Sequence, residues 1–301
     1  DPTPNPTDTC PASPCVRIAG TKFTIDGTPV FLKGISYFDA LHWRASDLDQ
    51  LQANNFNLIR IFADWPENNG SFLGAQGSMR YGDTLQRLVR AAAARGIMVD
   101  VTILNGSPTY GLSFEYAKNA TRNVARTLAN EANVFYDLAN EYPVLPKNCS
   151  TCRAYSHSEL SQLLAIVRAE HPGASVTASG NNPVAEIGIG LDLVAPHYRR
   201  SPDWASQTDD RIRGTQATLA GAGYYVPIYL QEENRRATSS EDREGNNISQ
   251  SEFLTAYRNA VSAGAAGWNF HTRAGFDMRS RSFFAQLDSI ERSTISALGR
   301  E

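Results

Sequence analysis

Along most of this 301-residue chain, short apolar runs recur, and each is followed by a longer stretch with helical spacing. The runs are FLKGISY (31–37), NLIRIF (57–62), GIMVDVTIL (96–104), NVFYDLA (133–139), ASVTAS (174–179), LDLVAPH (191–197), VPIYLQ (226–231) and GAAGWNF (264–270). Between them, SDLDQLQANN (46–55) opens with Ser-x-x-Asp, a helix-capping pattern, and DTLQRLVRAAAARG (83–96) ends at a glycine. SQSEFLTAYRNAVSAG (249–264) carries a Ser-x-x-Glu capping box and closes on Gly264. The fifth gap, GNNPVAEIGIG, is too rich in proline and glycine to predict a good helix. Ahead of the first run, 16–34 alternates and contains Asp26-Gly27, a hairpin turn signal.

Strands alternating with helices imply a parallel sheet, and roughly 250 residues is the usual size of a closed eight-stranded barrel. A doubly wound open sheet is the alternative, but it usually carries a glycine-rich phosphate turn after its first strand. Here that place holds SYFDALHW. The expected fold is α/β, a single (β/α)8 TIM barrel over residues 16–301 with an N-terminal β-hairpin.

The first fifteen residues hold five prolines and almost no apolar bulk, and read as a linker or arm outside the barrel. The start at Asp1-Pro2 has the look of a processed end. Four cysteines, Cys10, Cys15, Cys149 and Cys152, sit in loop-like stretches. Two local disulfides and a secreted or periplasmic location are the first reading; a zinc site or free thiols are the rivals. No apolar run approaches the roughly 20 residues that span a bilayer. The formal net charge of -3 gives no attraction to nucleic acid or anionic membranes, and neither is expected as a partner. The chain is expected to act as a monomer without a cofactor.

In a barrel of this kind the chemistry lies at the C-terminal ends of the strands. The first strand leads to Asp39, with His42 and Trp43 beyond; the second contains Arg60 and leads to Asp64; the third leads to Asn105. The fourth ends in Asn140-Glu141-Tyr142, and the sixth in His197-Tyr198-Arg199-Arg200. After the seventh come Glu232, Glu233, Asn234, Arg235 and Arg236; the eighth brings Trp268, His271 and Arg273. Two carboxylate positions among aromatics and hydrogen-bonding groups suit glycoside hydrolysis, which flanks one bond with two carboxylates.

The chain resembles clan A of the glycoside hydrolases, the barrels with an acid/base on strand four and a nucleophile on strand seven. FYDLANEY is similar to that clan's fourth-strand motif, and VPIYLQEEN to its seventh. FNLIRIF resembles its second strand with an arginine, and DLVAPHY its sixth with a histidine. The look is cellulase- or mannanase-like. The resemblance implies that Glu141 is the general acid/base, protonated at rest, and that Asn140 bonds the sugar 2-hydroxyl. It places the nucleophile at Glu232, five residues after Pro227, with Glu233 as competitor; Arg60 would keep it ionised. The implied route is retaining double displacement, with carboxyl groups about 5–5.5 Å apart.

Two departures stand out. Clan members often carry His-x-Tyr on strand six, whereas here Tyr198 directly follows His197 and Arg199 takes the later place. Trp268 is the candidate sugar platform, or else a core residue. His42 lines the sugar site or starts the first helix, while His157 and His171 read as solvated. Arginines 199, 200, 235, 236, 273, 279 and 281 all follow strands six to eight. With His271, Arg199 and Arg235 are candidate sugar ligands. The set either reads an acidic glycan, uronate or sulfated, or forms ordinary surface pairs with nearby acids. The rival classes are a glycan-binding barrel without catalysis, and a lyase or aldolase; the latter wants a lysine at a strand end, and Lys33 lies inside its strand.

Overall fold

The computed structural model describes residues 12–66, 69–105, 113–143, 153–180, 182–237 and 246–301. The chain opens with three antiparallel strands, β1 (Val16–Ala19), β2 (Lys22–Ile25) and β3 (Thr28–Val30). The expected turn at Asp26-Gly27 joins the last two, with φ of 50° and 80°, the backbone twist that tight hairpins favour.

Eight barrel positions follow. They are β4 (Leu32–Ser36), β5 (Leu58–Phe62), β6 (Met98–Leu104), β7 (Val134–Ala139), the interrupted strand β8 (Val176–Thr177) with β9 (Ser179–Gly180), β10 (Ala195–Pro196), β11 (Tyr229–Leu230) and β12 (Gly267–Phe270). The main sheet runs β11-β12-β4-β5-β6-β7-β8, β9 pairs with β10, and a parallel bridge from Val194 to Ile228 links the β10 strand to β11. Those links close the ring, as expected for a (β/α)8 barrel.

Around it lie α1 (Ala45–Ala53), α2 (Gly82–Ala93), α3 (Phe114–Thr127), α4 (His157–Glu170), α5 (Pro183–Gly188), α6 (Thr208–Gly221), α7 (Gln250–Ser262), α8 (Phe283–Gln286) and α9 (Ser289–Leu298). The capping box of α7 forms as its sequence demands, Ser249 and Glu252 each serving the other's backbone. Two local expectations fail. α1 has Arg44, not Ser46, at its N-cap and no side-chain cap; Asp47 accepts instead from the Tyr37 hydroxyl and the Phe283 N–H. The fifth gap does hold a helix, short, with Asn182 as its cap and Pro183 in the first turn, where proline costs nothing. Cys15 is buried and is not a free thiol; Cys10, Cys149 and Cys152 lie outside the described residues.

Strand parity sorts the side chains. Along β5, Leu58, Arg60 and Phe62 enter the barrel, whereas Ile59 and Ile61 join the helix-packed core. Leu32, Leu58, Met98, Phe135, Leu193 and Tyr229 form an apolar floor, and Phe23 of β2 plugs it from below. Above the floor the interior turns polar, and that layer leads to the mouth.

Candidate active site

β7 delivers Asn140 and Glu141 to the mouth. Glu141 has a φ of 48°, the left-handed region that a non-glycine residue occupies only when its surroundings hold it there. β9 does the holding: the Glu141 N–H donates to Ser179 Oγ at 3.0 Å, and the Tyr142 N–H to the Ser179 carbonyl at 3.2 Å. Behind it, Tyr142 packs on Gly180, where no Cβ fits, and its hydroxyl donates to Glu186 at 3.0 Å. Burial pushes the Glu186 carboxyl up to about 6. The Glu141 side chain is 44% exposed, and its Oε1 lies 3.1 Å from His197 Nδ1.

Glu232, at the end of β11, is far deeper, with its side chain 12% exposed. Arg60 Nη1 donates to its Oε2 at 2.8 Å, and Arg200 Nη2 to its Oε1 at 2.9 Å. His271 Nε2 lies 3.8 Å from the same Oε1. Burial alone would raise the Glu232 carboxyl; the basic groups around it, His271, His197, Arg60 and Arg200, outweigh burial and hold it well below the usual range. Burial also holds His271 well below the usual imidazole range, whereas at His197 burial is outweighed by the Glu141 hydrogen bond and by Glu232, and its pKa is raised. For Arg60, burial is outweighed by Glu232, Asp137 and Asp100, and its pKa stays raised.

Arg60 organises the floor of this mouth. It is fully buried, donates to Asn140 Oδ1 at 2.8 Å, to Asp137 Oδ2 at 3.2 Å and to Thr102 Oγ1 at 3.1 Å, and its guanidinium lies over Phe38 and Phe62 at 5.3 and 4.9 Å. Three groups converge: a carboxylate oxygen of Glu141, a ring nitrogen of His197 and a carboxylate oxygen of Glu232 all lie within 4.8 Å of one another. Such a trio could hold a cation, but Arg60 and Arg200 already neutralise Glu232 and would repel one.

The family model described as cellulase, glycosyl hydrolase family 5, matches residues 19–269. The chain belongs to this family. Endoglucanase E-5 of Thermobifida fusca is 28% identical over 184 residues, which is 58% of this chain but 36% of that protein, so the chain spans only about a third of that curated relative. Among solved structures, the native β-glucanase SdGluc5_26A of Saccharophagus degradans superposes with a TM-score of 0.71 at 15% identity, over 95% of this chain and 93% of that one. The endo-1,4-β-mannanase of Rhizomucor miehei gives a TM-score of 0.60 at 11% identity, over 95% of this chain and 100% of that one. At such identities these two likenesses speak for the fold alone.

Within this family 5 barrel, Glu141, Glu232, Arg60, Asn140, His197 and His271 come together as the strand-end reading placed them. Glu232, not Glu233, faces Arg60. Glu233 is buried beyond it, and burial pushes its carboxyl up to about 7. Tyr198 is no ligand of the nucleophile position: its hydroxyl turns to α6, where it meets the Arg211 carbonyl at 3.1 Å and Thr215 Oγ1 at 2.7 Å. Arg200 takes that place instead. Trp268 is not a sugar platform. Parity sends Asn269 and His271 inward and Trp268 outward, where it is fully buried against Tyr257 of α7 at 5.6 Å. The aromatics beside Arg60 form a buried cluster, Phe38, Phe62 and Trp65, with Phe276 half-buried against it.

His42 lies at the mouth but is held by Asp39 at 2.7 Å. Arg199 is exposed, and Arg211 donates to its carbonyl at 2.9 Å. Arg235 is buried, 3.4 Å from His271, with its guanidinium over Phe276. His157 and His171 are not solvated bystanders: they bond the hydroxyls of Tyr142 and Tyr136 at 3.1 and 2.9 Å. Gln231, Asp100, Thr102 and Ser179 escaped the sequence reading. A polar residue at the end of an otherwise apolar run, as in VPIYLQ, was the signal available.

Proposed function

We propose that this chain hydrolyses β-glycosidic bonds of a neutral polysaccharide, a β-glucan or β-mannan, with retention of configuration. The observation that carries this reading is the pair Glu141 and Glu232, whose carboxylate oxygens approach within 4.8 Å while two arginines hold only Glu232. Retaining hydrolysis needs two carboxyl groups about 5 Å apart with unlike environments, one nucleophile and one acid/base. Glu232 attacks the anomeric carbon as Glu141 protonates the departing oxygen. Water then cleaves the glycosyl-enzyme, with Glu141 acting as base. Arg60 occupies the Asn140 carbonyl oxygen, which leaves the amide N–H2 to donate to the sugar 2-hydroxyl.

The substrate class follows from two supports. The similar proteins carry the names endoglucanase, β-glucanase and endo-1,4-β-mannanase, and one β-glucanase was solved with cellotetraose. Of the seven arginines that would read an acidic glycan, four are engaged: Arg200 on Glu232, Arg236 on Asp288, and Arg235 and Arg273 over Phe276. Polymers of this kind lie outside cells, and so does the enzyme in this reading. The test is a panel of β-glucans, β-mannans, uronate-rich and sulfated glycans, run with the parent chain, Glu141→Gln and Glu232→Gln. Reducing ends should appear from a neutral polymer and vanish in both variants. Cleavage of only a charged glycan would overturn the substrate class, and binding without cleavage would overturn the enzyme.

A further inference from the structure

Behind Glu141 runs a buried chain of hydrogen bonds. His197 Nδ1 meets Glu141 Oε1 at 3.1 Å, His197 Nε2 meets Gln231 Oε1 at 3.2 Å, and Gln231 Nε2 donates to Asp100 Oδ2 at 2.7 Å. Gln231 and Asp100 are fully buried, and His197 nearly so. The Gln231 carbonyl accepts from Asn269 at 3.1 Å, which pins the backbone of this residue beside the nucleophile.

Arg60 Nε, 3.7 Å from Asp100 Oδ2, favours an unprotonated oxygen there, and with it the donors and acceptors of this chain have one consistent arrangement. Asp100 Oδ2 then accepts, whether the carboxyl is ionised or carries its proton on the other oxygen. The Gln231 amide nitrogen must therefore face Asp100, and its oxygen must face His197. An amide oxygen can only accept, so His197 Nε2 carries a hydrogen. Nδ1 is then left for Glu141, and one proton lies between that nitrogen and Glu141 Oε1.

We propose that Gln231, anchored by Asp100, is a positioning residue for Glu141: it holds a hydrogen on Nε2 of His197 and so reserves Nδ1 for the proton shared with the acid/base. This rests on the reading of Glu141 as the acid/base. Without the Gln231 acceptor the ring takes its other tautomer, in which the Nδ1 hydrogen points at Glu141 and Nε2 keeps the lone pair. Glu141 then stays a carboxylate and has no proton for the leaving group. Among the described residues, the other titratable groups facing His197 include Glu232, Arg60, Glu186 and Glu233; those facing Asp100 include Arg60, Asp137 and Tyr229.

The experiment uses the whole chain and two β-glycosides with one glycone: a dinitrophenyl glycoside, whose leaving group departs without a proton, and an oligosaccharide, whose leaving group needs one. Gln231→Leu should lose about 100-fold in kcat/KM on the oligosaccharide and under about 3-fold on the dinitrophenyl glycoside. Gln231→Glu keeps an acceptor for Nε2; it should recover most of the oligosaccharide activity and move the basic limb of the pH profile upward, because a carboxylate beside His197 favours its cation. Equal losses on both substrates, or no loss on either, would overturn the inference. Should Gln231→Leu not fold, Gln231→Glu decides alone, an unmoved basic limb counting against the proposal. Glu141→Ala is the reference: if it shows no leaving-group asymmetry, the acid/base reading falls and this inference with it, whereas asymmetry in Glu141→Ala but not in Gln231→Leu sinks only the inference.

Discussion

The two ends of the barrel solve opposite problems. At the floor, Phe23 of the hairpin lies 5.2 Å from Phe135 and 6.4 Å from Tyr229, ring to ring, within a shell of aliphatic side chains. At the mouth, Arg60, Asp100, Asp137, Glu232 and His271 share the same interior. The floor buries apolar surface and stabilises the ring. The mouth buries charges, which costs free energy that complementary partners offset only in part. In the proposed reading, a carboxylate held this way is ready to react, and the end that carries the chemistry is the end that does least for stability.

The sharpest way to break this contrast is Glu232→Gln. It should keep the fold and lose about 10⁴-fold or more in kcat, roughly 5.5 kcal/mol in the barrier, measured on a polymer that the parent cleaves. Phe23→Ala should do the reverse, costing about 3–5 kcal/mol of unfolding free energy in a denaturant titration while kcat below the transition stays within about 2-fold.

Glu233→Gln tests the burden of burial at the mouth. Folding raises this carboxyl from the usual 4.5 to about 7, so the folded state binds the proton more tightly than the unfolded state. Its contribution is therefore complete below about pH 4.5 and is lost as pH rises through about 7. The glutamine, a mimic of the protonated form, should exceed the parent in stability at pH 8 by up to about 3 kcal/mol and match it near pH 4.5, as read by unfolding titrations at both. Arg200→Met is the mildest of the four. With one of its two guanidiniums gone, Glu232 becomes easier to protonate. The acid limb of the pH–rate profile should move up, and kcat/KM should fall about 10-fold, near 1.4 kcal/mol.

Much of this contrast was legible along the chain. The alternating hairpin, its Asp26-Gly27 turn and the apolar runs are local features, and they reappear within β1 to β12, though LDLVAPH pairs only over Ala195–Pro196 and VPIYLQ only over Tyr229–Leu230. Glu141, Glu232, Arg60 and His197, which the barrel brings together, could be singled out because each stands at or near a strand end in a recurring motif. Trp268 was misplaced for lack of register. In β12 it stands three residues before His271, so the two point to opposite faces, and only the position of β12 between β11 and β4 tells which face is inside.

By itself, then, the amino-acid order determined the alternation of strands and helices, the caps of helices such as α7, and which carboxylates end strands, because these depend on neighbours a few residues apart. Only the tertiary structure decided that Glu232 rather than Glu233 faces Arg60, that Arg200 occupies the position expected of a tyrosine, and that Gln231 links Asp100 to His197. Those partners are separated by 32 to 172 positions in the chain, and barrel closure alone brings them within hydrogen-bonding distance.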